Sequence, residues 1–167
     1  MVAKKHTGHP HLTGEHPLGD MGQLVLFLMF MGTWVTDSFF FHYSTFLAEK
    51  VAYSIRISLA GLVLIAGWYL ARGGMKAVFG TAREKPEVIS TGVFRIVRHP
   101  IYTGAILFYL SAILSTFSLA SAVLWLLITG FYIYISRYEE SILSEAFGEE
   151  YLKYKKNTGM LFPKFKT

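Results

Sequence analysis

The sequence predicts an all-α integral membrane protein of about four transmembrane helices followed by an amphipathic cytoplasmic helix. Three observations carry that expectation. The 167 residues are 53% hydrophobic and only 16% charged, whereas soluble domains carry charge on about a quarter of their residues. Residues 99–136 form a run of 38 without a single Asp, Glu, Lys or Arg. As one helix that run would reach about 57 Å, nearly twice a ~30 Å hydrocarbon core, so it must cross, turn and return. Finally, Lys and Arg are divided unequally between the loops that such spans would leave on either side.

Residues 1–20 read as a polar tail rich in His, Gly and Pro, with no apolar core or cleavage site of the kind a removed signal peptide has. His6, His9, His11 and His16 raise a metal site. The spacing of His9 and His11, among Gly and Pro, disfavours the helix that would align them, so no metal is expected. The first span starts near Met21 and runs through Asp37 to Phe41; the second covers residues 57–71 and lengthens if Arg56 snorkels. Interfacial pairing accounts for Asp37, His42 and Arg56, and Trp34, Trp68 and Trp125 read as packing or belt residues. Residues 72–98 form a polar linker containing Gly73, Gly74, Gly80 and Pro86. The hairpin of spans three and four follows, with its turn in the small, hydroxyl-rich residues 115–121. Beyond Arg137, the apolar Ile142, Leu143, Ala146, Phe147, Tyr151 and Leu152 recur at helical spacing, with Gly148 as an interruption. That segment is expected on the membrane surface, roofing a pocket.

Four spans put the tail, the linker and the C-terminus on one side. That side holds two, six and six Lys or Arg, fourteen in all, against Lys50 and Arg56 on the other. The positive-inside rule then places both termini in the cytoplasm. The formal charge of +5 is read as topology and lipid-facing charge rather than as a nucleic-acid surface. The bilayer is the expected partner, and no obligate protein partner is evident. With no cysteine, disulfides, thiolate metal sites and cysteine nucleophiles are excluded.

An even number of crossings brings Arg98 and His99 to the same face as Arg137, Glu139 and Glu140. Pro100 suits a first helical turn, and the helix start beside Arg98 and His99 suits an anionic group. Tyr102 adds a hydroxyl, and Gly104 leaves room for a ligand to approach. Of the adjacent carboxylates, about 100° apart on a helix, one can face a given pocket. Anchoring and solvated charge are the plain alternative. Together the groups suit a ligand carrying both charge signs, as S-adenosylmethionine does.

The pattern Arg98-His99-Pro100-Ile101-Tyr102-Thr103-Gly104, a long apolar stretch and then Glu139-Glu140 resembles the signature of the isoprenylcysteine carboxyl methyltransferase and phospholipid methyltransferase superfamily. The tail from Phe147-Gly148-Glu149-Glu150-Tyr151 to Pro163 is similar to the end of the isoprenylcysteine enzymes in particular. The lead-in Gly92-Val93-Phe94-Arg95 keeps only the glycine and arginine of the usual Gly-Pro-Tyr-Arg. The resemblance implies one methyltransferase-like domain over residues 1–167, with residues 92–163 binding S-adenosylmethionine. It implies Arg98, His99, Pro100, Tyr102, Gly104 and Glu139 at the cofactor, and Arg137 and Glu140 beside the reacting groups. The leading expectation is an enzyme of the isoprenylcysteine carboxyl methyltransferase type acting on a lipophilic or small membrane-permeant acceptor; a phospholipid amine, a small thiol and a quinone-like molecule are the alternative acceptors. A carboxylate acceptor needs no base, whereas a thiol or amine does, with Glu140 as the candidate. A sterol-reductase-like enzyme and a non-enzymatic membrane protein are the alternatives.

Overall fold

A computed structural model describes residues 19–80 and 87–164. The His-rich tail, and with it the question of a metal there, lies outside the described residues, as do Arg83, Lys85 and Pro86 of the linker. Among the described residues, four α-helices make up the bundle: α1 (Gly19–Val35), α2 (Tyr53–Phe79), α3 (Pro100–Thr116) and α4 (Leu119–Asn157). Helix α1 continues without a break into a π-helical turn, Thr36–Phe41. That continuous α1 segment, α2 and α4 are long and apolar enough to cross a membrane, and α3 is a shorter apolar helix of 17 residues. At 1.5 Å per residue α3 is about 26 Å long.

The outward faces are apolar, with Leu28, Leu62, Ile65, Leu126 and Leu127 all exposed. This is the surface that hydrocarbon would cover, since lipid does not penalise exposed Leu and Ile. The interior is built around Phe30, Ile106, Tyr109, Ile128, Tyr132 and Ile135, with Phe30 and Tyr109 edge to face at 4.7 Å.

Small residues set how closely α2 and α3 approach, as they do between helices in membranes generally. A Cβ on Gly104 would stand 2.6 Å from the carbonyl oxygen of Gly67 and 2.7 Å from the Ala71 Cβ. One on Gly74 would meet Ile101 and Pro100 at 2.8 and 3.0 Å. The pairing runs antiparallel, because higher numbers in α2 meet lower numbers in α3. The polar linker expected from residue 72 begins later: α2 stays helical for two more turns, to Phe79. Gly73 and Gly74 look like helix breakers in the sequence. They are interface positions instead, with Gly73 against Val93 and Gly74 against the start of α3. Arg72 stays at the edge of the bundle by lying over the Trp68 ring, 5.3 Å from its centroid.

The turn between α3 and α4 falls within the expected stretch. Phe117 adopts a left-handed conformation (φ 55°), and Ser118 caps α4 by accepting from the Ser121 N–H at 3.2 Å. Interfacial pairing of Asp37 with Arg56 does not occur. Buried Asp37 accepts from the Ser44 backbone N–H at 3.0 Å and from the hydroxyls of Ser44 and Ser118. Arg56 donates instead to the Ser115 carbonyl at 2.9 Å. The α1–α2 connection is thereby clasped to the α3–α4 turn.

Helix α4 passes straight out of its apolar half into the charged one, so the expected surface helix is no separate element up to Gly148. There the backbone breaks (φ 52°, ψ −129°), a conformation that favours glycine. After Asn157 the chain folds back. Gly159 pairs with Val97 in an isolated parallel bridge, and the N–H groups of Arg98 and His99 donate to the carbonyls of Gly159 and Met160 at 2.8 and 3.1 Å. Leu161 ends in the core, and its carbonyl accepts from Thr103 at 3.0 Å. The C-terminal segment is thus part of the fold around the site.

Candidate active site

The ends of the uncharged run do meet. Arg98 and His99 precede α3, and Pro100 occupies its first turn, where the lack of an N–H costs nothing. Glu139 and Glu140 follow the apolar half of α4. Glu140 is 3% exposed, and its Oε1 receives both Nε and Nη2 of Arg98, at 2.7 and 2.6 Å. Its Oε2 takes the Lys155 ammonium at 3.0 Å. The remaining Arg98 nitrogen, Nη1, donates to the carbonyls of Lys155 (3.0 Å) and Thr158.

His99 lies between the two carboxylates. Its Nδ1 is 3.3 Å from Glu139 Oε2, and its Nε2 is 3.4 Å from Glu140 Oε1. Both approaches are within ion-pair range, and Nε2 is fully buried. Burial alone would lower the pKa of this imidazole. The bonds and charges of Glu139 and Glu140 outweigh that and hold it above its ordinary value. Tyr102 stacks on His99, with centroids 5.7 Å apart and planes 7° from parallel, and donates its hydroxyl to Glu139. On its other side Tyr102 leans on Tyr132, at 5.2 Å.

The structure therefore joins Arg98, His99, Tyr102, Glu139 and Glu140 into one buried constellation at the start of α3. Two sequence-named residues stand apart from it. Arg137 is exposed and makes no ion pair among the described residues; it lies one turn before Glu140 and about 60° round α4 from it, at the edge of the buried face. Gly104 is taken up by helix packing, and α2 fills the space expected for a ligand. Arg98 also differs from the expectation of a free anion-binding side chain, because every guanidinium nitrogen already has a partner. Nothing in the sequence singles out Lys155. No periodicity links it to Glu140, since the break at Gly148 resets the helical phase between them. Tyr154 was likewise missed, though its hydroxyl fixes the Phe94 carbonyl at 2.6 Å.

A hairpin of apolar helices that buries an ionic cluster at one end defines the class: an integral membrane protein with a buried charged cluster at a helix mouth. The chain belongs to the phospholipid methyltransferase family, whose sequence pattern matches residues 50–150. The match reaches back through α2, further than the motifs around α3 and α4. The chain is also 31% identical over 112 residues to a methanethiol S-methyltransferase of Pseudomonas sp. (strain GM41(2012)), covering 62% of this chain and 42% of that protein. It is 38% identical over 85 residues to methanethiol S-methyltransferase 1 of Bradyrhizobium diazoefficiens, covering 50% and 29%. A methanethiol S-methyltransferase of Pseudomonas deceptionensis is 34% identical over 112 residues, covering 62% and 41%. The matches span less than half the length of each of these relatives. No solved structure matches the chain.

Proposed function

We propose that this protein is an S-adenosylmethionine-dependent methyltransferase whose acceptor is a small membrane-permeant thiol. The observation that carries the reading is the buried constellation of Arg98, His99, Glu139 and Glu140 on the matched hairpin. The donor set suits the amino-acid end of that cofactor. Glu140 is held in place by Arg98 on one oxygen, and its other oxygen binds a Lys155 side chain that is 42% exposed and so free to exchange. A ligand ammonium can replace Lys155 on Glu140 Oε2, and the released Lys155 can pair with the ligand carboxylate. Glu139, His99 and Tyr102 line the adjoining side, with Pro100 starting the helix beneath them.

When bound, the cofactor supplies an electrophilic methyl group on a sulfonium. The residues of this chain align the partners and exclude water, which lowers the barrier to an in-line displacement. The names of the relatives support a thiol acceptor. The family's description supports a second reading, a phospholipid amine. The charge asymmetry of fourteen against two supports a cytoplasmic site with both termini on that side.

Binding of S-adenosylmethionine to the full chain in detergent tests the proposal. Glu140→Gln and Lys155→Met should each weaken binding about tenfold or more, the equivalent of roughly 1.4 kcal/mol. Unchanged affinity in both variants would remove the site. A tritiated-methyl assay against methanethiol, phosphatidylethanolamine and N-acetyl-farnesylcysteine then decides the acceptor, and turnover of phosphatidylethanolamine alone would replace the thiol reading.

A further inference from the structure

Two basic side chains on α2 belong neither to the ionic cluster nor to the core. Arg72 and Lys76 stand about one turn apart on the outward face of the helix, and both are exposed. Exposed apolar residues lie on either side of them, Ile65 and Trp68 before, Met75 and Phe79 around and after. The opposite face, with Gly67 and Gly74, is the one packed on α3. No acidic residue occurs anywhere in α2, and neither cation makes an ion pair among the described residues.

Their depth makes these charges informative. At the other end of α2, Arg56 donates to the Ser115 carbonyl beside the α3–α4 turn. At 1.5 Å per residue, Arg72 lies about 24 Å and Lys76 about 30 Å from Arg56 along the helix, against a ~30 Å hydrocarbon core. The pair therefore sits at the level of the lipid phosphates, at the end where Gly74 meets the start of α3. Side chains on a helix tilt toward its N-terminus, which here means back toward the hydrocarbon. Arg72 follows that tilt and lies over the Trp68 ring, 5.3 Å from its centroid. A cation drawn only to water would extend the other way. Folded back, its guanidinium presents its donors on the lipid side, where phosphate is the acceptor at hand.

We propose that this face of α2 is a binding site for a phospholipid with a net negative headgroup. Arg72 takes the phosphate with its planar fork, Lys76 adds a second positive charge one turn further out, and Trp68 packs on the top of an acyl chain. Charge complementarity selects the lipid. Two cations with no carboxylate on their helix repel the ammonium of a zwitterionic headgroup, and an anionic headgroup has none. The inference stands apart from the methyltransferase reading, because it uses no residue of the ionic cluster.

Trp68 reports on the site directly. Trp34 and Trp125 donate to the carbonyls of Ala112 and Ile106 at 2.9 and 3.0 Å and pack against the core, whereas Trp68 is 61% exposed. The full chain is reconstituted in phosphatidylcholine vesicles with increasing fractions of a lipid brominated near the top of its acyl chains, either phosphatidylglycerol or phosphatidylcholine. The difference in fluorescence between wild type and Trp68→Phe isolates the Trp68 signal. Brominated phosphatidylglycerol should quench it at a mole fraction about fivefold lower than brominated phosphatidylcholine. The double variant Arg72→Gln, Lys76→Gln should make the two lipids equal, with unchanged Trp34 and Trp125 emission showing an intact core. Excess soluble glycerol phosphate should leave the preference in place. Equal quenching by the two lipids in wild type, or a preference that survives the double substitution, overturns the site. Loss of the preference to glycerol phosphate replaces the lipid with a free phosphate as occupant. Absence of quenching by either lipid overturns the site as well, since it means that protein covers this face.

Discussion

The α3–α4 hairpin buries a carboxylate at each of its ends, and the two are stabilised in opposite ways. At the turn, Asp37 is surrounded by neutral donors: a backbone N–H and the hydroxyls of Ser44 and Ser118, the latter bonded in turn to Ser121 at 2.9 Å. At the open end, Glu140 is held by full positive charges from Arg98 and Lys155, with His99 beside it. Neutral donors satisfy Asp37 and leave it nothing to exchange, so that end works as a clasp. The ionic end keeps one exposed, exchangeable cation. A charged cluster with such a loose end is suited to a ligand; one held by neutral donors is suited to holding the chain.

The comparison can be broken most forcefully at the ionic end. Arg98→Ala leaves Glu140 buried without its main counter-charge and frees the carbonyls of Lys155 and Thr158. Stability should fall by about 3–5 kcal/mol, read as a lower unfolding midpoint in detergent, and the C-terminal segment should become protease-sensitive. A loss under 1 kcal/mol would mean that the ion pair is not the keystone of that end.

Asp37→Ala should cost less, about 1–3 kcal/mol for the hydroxyls left unpaired. It should leave S-adenosylmethionine affinity within about twofold, because the clasp lies at the far end of the hairpin. Binding loss comparable with that of Glu140→Gln would show that the two ends are coupled.

The smallest effect is in pH. The His99 pKa is raised in the folded protein, so its contribution is fully present below the unfolded value of about 6.5. It then fades as pH rises through the higher folded value. The unfolding midpoint should therefore decline modestly on the alkaline side, and His99→Gln should flatten that decline. An unaltered slope in the variant would assign the titration to another group.

Much of this architecture is legible in residues 99–136. Their length forces an even number of crossings, which alone places Arg98 and His99 on the same side as Glu139 and Glu140. The turn was legible too, because serines that cap helices and clasp loops also mark the turn in the sequence. Gly73 and Gly74 read in the sequence as helix breakers and Gly104 as room beside a ligand, because a glycine that admits a neighbouring helix looks like either in one dimension. Arg137 and Glu140 both follow the apolar run within about one turn of each other, and only the partners that fold over Glu140, Arg98 and Lys155, bury one and leave the other exposed.

The sequence by itself determined the number of apolar crossings, the side on which the charges gather and the absence of cysteine chemistry. Those follow from hydropathy and charge, which add up along the chain. The tertiary structure decided which charges pair, that Lys155 and the segment after Gly148 close the site, and that His99 lies between two carboxylates. These depend on helix rotation and on contacts between residues some 40 to 60 positions apart, and local sequence encodes neither.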